Sequence, residues 1–129
     1  MLEKTIKLAV KKRLKEIGAY QHWPVQMGMG EPCLDCHGCY YGYYFAVETK
    51  APGKHPTKLQ WVTINNIRAA GGIVFVIDNV EDARAIFADC TPAVAKLARA
   101  LRPNLRVVAE RPDGELPRRK VRHLPPSSL

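Results

Sequence analysis

Cys33-Leu34-Asp35-Cys36-His37-Gly38-Cys39-Tyr40-Tyr41-Gly42-Tyr43-Tyr44-Phe45-Ala46-Val47-Glu48-Thr49-Lys50 is the stretch that decides the fold. It contains two strand-like runs, 33–39 and 43–50, with Gly42 in the turn between them. If Tyr41-Gly42 is a two-residue hairpin turn, paired residue numbers sum to 83 and Asp35 falls opposite Glu48. Side chains alternate along a strand, so Glu48 and Lys50 share a face at its end. Facing residues of a hairpin have Cβ atoms about 4.5–5.5 Å apart. Two carboxylates that close repel unless something positive sits between them. The hairpin therefore predicts a cation site, and it depends on register, because a one-residue slip carries Asp35 to the other face.

Upstream, residues 2–17 read as an amphipathic helix. Leu2, Ile6, Ala9, Val10, Leu14 and Ile17 recur at helical spacing, and Lys4, Lys7, Lys11, Lys12 and Lys15 cover most of the remainder. Gly18 is a natural stop. Residues 19–25 form a first strand, and 26–32 a loop punctuated by Gly28, Gly30 and Pro32. Downstream, 51–56 is a polar loop and a helix runs from Pro56 or Thr57 to about Ala70. Leu59, Val62, Thr63, Asn66 and Ile67 mark one stripe of that helix, and Gly71-Gly72 ends it. The short apolar run Ile73-Val74-Phe75-Val76-Ile77 has the signature of a strand buried on both faces. Two further helices follow at 81–88 and 92–101, then an edge strand at 105–110. Residues 111–129, with four prolines and five basic residues, read as a tail. The order is a helix, a three-stranded meander, a crossover helix and a further strand. It predicts an α/β fold, a mixed sheet flanked by helices, in one domain over 1–110 with a basic, proline-rich tail over 111–129.

The chain has 129 residues, 47% of them hydrophobic, enough for one core and too many for general disorder. No apolar run approaches the roughly 18 residues of a membrane span, and the lysine-rich start lacks a signal-peptide pattern. A cytoplasmic protein of a prokaryotic cell or of a phage-infected host is the expectation. The net charge of +8 is concentrated at the two ends. Residues 1–20 carry six Lys/Arg against two acids, and 99–129 carry eight against three. The centre is close to neutral. Basic flanks around an acidic site suit a protein that grips phosphates with cations and holds a metal with carboxylates. Solubilising lysines on a helix face are the plainer reading of the first cluster.

One pattern goes beyond composition. Leu34-Asp35, Gly38-Cys39, Gly42, Phe45 through Lys54 (FAVETKAPGK), Pro56-Thr57 and Gln60 together resemble the VRR-NUC family of the PD-(D/E)xK nuclease superfamily. The resemblance spans about Glu3 to Asp78. It departs from the superfamily pattern at one point: Pro32 is followed by Cys33, and the acid comes at Asp35. It implies a restriction-endonuclease-like core and a divalent-metal-dependent structure-specific DNA endonuclease. Asp35 and Glu48 would be metal ligands, with the Thr49 carbonyl as a further one. Lys50 would orient water or stabilise charge on phosphate, Gln60 would complete the site, and Glu3 would reach the metal region. Mg²⁺ or Mn²⁺ suits all-oxygen ligands. Lys7, Lys11, Lys54, His55 and Lys58 are the candidate DNA contacts.

Small stand-alone members of the family are associated with Holliday-junction resolution, and a two-fold homodimer suits a four-way junction. Flap, nicked or single-stranded DNA is the alternative substrate. A different class is also open. Cys33, Cys36, His37 and Cys39 have the spacing of a zinc knuckle, which would make the chain a non-catalytic, zinc-stabilised nucleic-acid-binding module. Against zinc, a strand scatters these residues onto both faces, and no second ligand pair follows. Buried free cysteine is the favoured reading.

Overall fold

A computed structural model of the chain describes residues 2–25 and 32–101. The anticipated edge strand at 105–110, the tail from 111 and the boundary between them lie outside the described residues. The elements, in order, are α1 (Glu3–Glu16), β1 (Tyr20–His22), β2 (Cys36–Tyr40), β3 (Tyr43–Thr49), α2 (Lys58–Ala69), β4 (Ile73–Ile77), α3 (Val80–Arg84) and α4 (Pro92–Ala100). The strands form one mixed sheet in the order β1-β2-β3-β4, flanked by helices. The chain divides into two compact units, Met1–Pro92 and Ala93–Leu129. The sheet belongs to the first. In the second, α4 carries exposed Val94 and Leu97. Among the described residues no helix is long and apolar enough to cross a membrane.

The hairpin forms in the anticipated register. Cys36 pairs with Val47 and Tyr40 with Tyr43, antiparallel. Tyr41 and Gly42 both have positive φ, 48° and 87°. That conformation gives a two-residue turn whose twist matches its strands. β3 then pairs with β4 in parallel, Phe45 with Ile73 through Thr49 with Ile77. The link between these parallel strands is α2, which makes a βαβ unit. β1 is shorter than the sequence suggests, because only Tyr20–His22 pair with β2. Gly38 permits that pairing: a Cβ there would run into the Tyr20 carbonyl.

Two apolar layers cover the sheet. On one side α1 buries Ile6, Val10 and Leu14, spaced four residues apart so that they share a helix face. Phe87 joins this side. Its ring stacks on Tyr40 at 4.5 Å and meets Phe45 and Phe75 edge-on. Arg13 Nε donates to the Ile86 carbonyl and the Tyr40 hydroxyl donates to the Cys90 carbonyl, which fixes this loop against α1 and β2. On the other side Leu34, Ala46, Ile64 and Val74 form a buried cluster, with Ile67 and Val76 against it.

Three expectations need correcting. The expected 81–88 helix ends at Arg84, and Phe87 adopts a left-handed φ of 55° that places its ring over the sheet. Among the described strands β4 is the last in the sheet, and its Ile73, Phe75 and Val76 are only partly buried rather than enclosed on both faces. The stripe anticipated for α2 is rotated: Ile64 faces the core, whereas Leu59 and Val62 are 59% and 54% exposed.

Candidate metal centre

The centre lies where β3 ends, between α1 and α2. β3 delivers Glu48 and Thr49, both buried, with Lys50 directly after them. The Lys50 N–H donates to the Ile77 carbonyl, so the backbone stays in the sheet up to the lysine. Asp35 sits in a bend one residue before β2. It is therefore not a ladder partner of Glu48. Its Oδ2 instead accepts from the Thr49 backbone N–H at 2.9 Å and from Thr49 Oγ1 at 2.8 Å. These two bonds span 14 residues of chain and clamp the carboxylate beside Glu48.

Glu48 is held from the other side. Gln60 Nε2 donates to Glu48 Oε1 at 3.3 Å, and Lys50 Nζ lies 3.8 Å from the same oxygen. Gln60 is aimed by the start of α2. Its Oε1 accepts from the Thr57 N–H, while Thr57 Oγ1 accepts from the Gln60 N–H, a reciprocal capping box. A helix cap and a site contact thus share one side chain. Thr57-x-x-Gln60 is a legible helix-start pattern, and it would have set the rotation of α2 directly from sequence.

Glu48 Oε2 is buried and has no hydrogen-bond partner. Burial, followed by the negative charge of Asp35, pushes the Glu48 carboxyl up to about 7, partly offset by Lys50 and by the Asp35 backbone N–H. A half-satisfied buried carboxylate is costly. A divalent cation between Asp35 and Glu48 would relieve both the missing partner and the like-charge repulsion, so the residues present fit Mg²⁺ or Mn²⁺. The donor set is small: among the described residues no three His, Cys, Asp or Glu side chains converge as a metal-binding group.

The remaining candidates are dispersed. Lys7, expected to contact DNA, places Nζ 3.7 Å from Asp35 Oδ1 and is thus part of the centre. Sequence reasoning missed this pairing, because it depends on how α1 packs. Glu3 lies one turn earlier on α1, and its side chain makes no hydrogen bond or ion pair to another described residue. Lys11 Nζ lies over the Trp23 ring at 4.8 Å. Lys54, His55 and Lys58 are exposed around the loop after Lys50. The Gly53 N–H donates to Asp78 Oδ2, which ties that loop to the end of β4. Asp78 is held below its ordinary range, first by the Asn79 amide and then by Gly53.

The cysteines do not converge. Cys36 is buried opposite Val47, and burial pushes its thiol up to about 12. Cys39 is exposed and, three residues along the strand, points to the other face. Cys33 is exposed ahead of the strand. Comparison with protein-family models, with curated proteins and with solved structures found no match.

Proposed function

We propose that the chain is a divalent-metal-dependent DNA endonuclease with a restriction-endonuclease-like core of the VRR-NUC type, acting on branched DNA. One observation carries the reading: buried Glu48 Oε2, without a donor, lies beside the clamped Asp35 carboxylate, with the Lys50 ammonium at the rim. Asp35, Glu48 and the Thr49 carbonyl would hold the ion. Bound there, it would supply Lewis acidity toward a phosphoryl oxygen and a more acidic water. Lys50, 17% exposed at its side chain, reaches both solvent and the centre. It would donate to the attacking water or to a non-bridging phosphate oxygen as charge grows there. Gln60 keeps Glu48 aimed. Lys54, His55 and Lys58 would take flanking phosphates, which makes binding salt-sensitive. The products would carry a 5′-phosphate and a 3′-hydroxyl.

The experiment is a panel of labelled four-way junction, flap, nicked, duplex and single-stranded DNAs. Each is incubated with Mg²⁺, Mn²⁺ or EDTA, beside Glu48→Ala and Lys50→Ala. Cutting is expected only with metal and only by the wild type, with the junction cut fastest. Cutting in EDTA, or by either variant at the wild-type rate, overturns the mechanism. A flap or single strand cut fastest would move the substrate and leave the mechanism standing.

A further inference from the structure

We infer that Lys7 is a built-in counterion of the metal-free centre, one that competes with the divalent ion for Asp35 and turns to the DNA phosphate once the ion is bound. The inference rests on the metal-centre reading above. Asp35 presents its two oxygens differently. Oδ2 is taken by Thr49, which supplies two hydrogen bonds from a fully buried residue. Oδ1 faces Lys7 Nζ at 3.7 Å. An ammonium is therefore held against the carboxylate on whose charge the ion depends.

The pairing is built to be released. The Asp35 side chain is 13% exposed, whereas that of Lys7 is 38% exposed. The carboxylate is fixed by the fold, and the lysine hangs on a flexible four-carbon stem from α1. Ion pairs with one partner in solvent are weak. A divalent ion at the same carboxylate carries twice the charge and repels the ammonium, so the two do not occupy the position together. Once displaced, Lys7 remains within one side-chain length of the centre. It comes from α1, whereas Lys54, His55 and Lys58 flank the start of α2, and the two helices pack on different apolar layers of the sheet. A phosphodiester seated at the ion would thus meet cations from both helices. Before metal arrives, two ammoniums, Lys7 and Lys50, face two carboxylates, Asp35 and Glu48.

Isothermal titration of the full-length chain with MgCl₂ and with MnCl₂ tests this, using wild type, Lys7→Gln, Lys7→Arg and Asp35→Asn. Lys7→Gln should bind the ion about three- to tenfold more tightly than wild type, while Lys7→Arg stays near wild type. At saturating metal, Lys7→Gln should cut DNA more slowly and with a weaker salt dependence. Unchanged or weaker metal binding by Lys7→Gln, with normal binding by wild type, overturns the role of Lys7 alone. Wild-type binding no tighter than Asp35→Asn overturns the metal centre, and this inference with it.

Discussion

Gln60 Nε2 donates to Glu48 Oε1 at 3.3 Å while Gln60 Oε1 accepts from the Thr57 N–H. The backbone N–H can only donate, so it fixes which end of the amide faces Glu48. The start of α2 and the buried acid at the end of β3 are coupled through one side chain. Gln60→Ala removes both contacts and should cost about 1 kcal/mol, a loss of roughly 4 °C in melting temperature. Gln60→Glu keeps the capping box and turns a donor into a carboxylate against Glu48. Its deficit should be small at pH 5, larger at pH 8, and relieved by Mg²⁺. Thermal melts of the three proteins at both pH values, with and without metal, decide it. A Gln60→Glu deficit that ignores both pH and metal would show that Gln60 serves the cap only.

The raised Glu48 carboxyl has a definite consequence for stability. Its value is about 7 in the folded chain, against an ordinary value of 4.5. The folded state therefore holds a proton that the unfolded state releases. The favourable contribution is complete below about 4.5, declines as pH rises, and is gone above about 7. The swing is on the order of 3 kcal/mol. Denaturant melts of metal-free wild type and Glu48→Gln between pH 4 and pH 8.5 measure it, since groups remote from Glu48 titrate alike in both. Wild type should lose stability relative to Glu48→Gln across that window. The ion, which needs the charged carboxylate, should stabilise wild type far more at pH 8 than at pH 5. Parallel pH profiles for the two proteins would remove the buried-acid account.

What the sequence made legible follows the range of each interaction. The register of β2 on β3 was readable because Tyr41-Gly42 is a local device: its turn type sets every pair up to Cys36 and Val47. Gln60 was singled out only through the family resemblance, not by any local pattern, and its bond to Glu48 was not foreseen. The rotation of α2 was misread, because hydrophobicity alone ranks Leu59 and Val62 with Ile67. The Thr57–Gln60 cap turns Gln60 and Ile64 inward and leaves Leu59 and Val62 in solvent. Asp35 was expected to face Glu48 as a strand neighbour. It reaches the centre from a bend instead, because Thr49 offers two donors that a ladder position could not use. Lys7 and Phe87 were illegible for a common reason. Each is placed by packing of α1 or of the 85–90 loop against the sheet, across many residues of chain, and no local pattern encodes that.

The Asp35 clamp separates a structural role from a chemical one. Thr49 is fully buried, and its N–H and Oγ1 both depend on Asp35 Oδ2. Asp35→Ala leaves two buried donors without that acceptor and should cost roughly 2–4 kcal/mol. Asp35→Asn keeps an oxygen for Thr49 and should cost much less, while removing the charge that Lys7 and an ion require. The two variants should be equally poor in metal binding and in DNA cutting, yet well separated in denaturant midpoint. Equal midpoints would mean that Thr49 finds other partners and that the clamp does not hold the fold.

The cysteines offer a test of the competing zinc-module reading. Cys33 and Cys39 are exposed, while Cys36 is buried with its thiol pushed up to about 12. A zinc knuckle needs all three as thiolates around one ion, within about 2.3 Å of it. In this hairpin the side chain of Cys36 points into the layer beneath α1 and that of Cys39 points away from it. Binding zinc would require β2 to unpair from β3. Pulsed labelling of the native chain with a small thiol reagent at pH 8 should modify Cys33 and Cys39 within minutes. Cys36 should react only on global unfolding, since it lacks both access and thiolate. Elemental analysis of the same preparation should find zinc well below one per chain, and a chelator should leave the labelling pattern unchanged. Stoichiometric zinc together with joint protection of Cys33, Cys36 and Cys39, lost on chelation, would instead make the hairpin a metal knuckle and remove the reason for a carboxylate centre beside it.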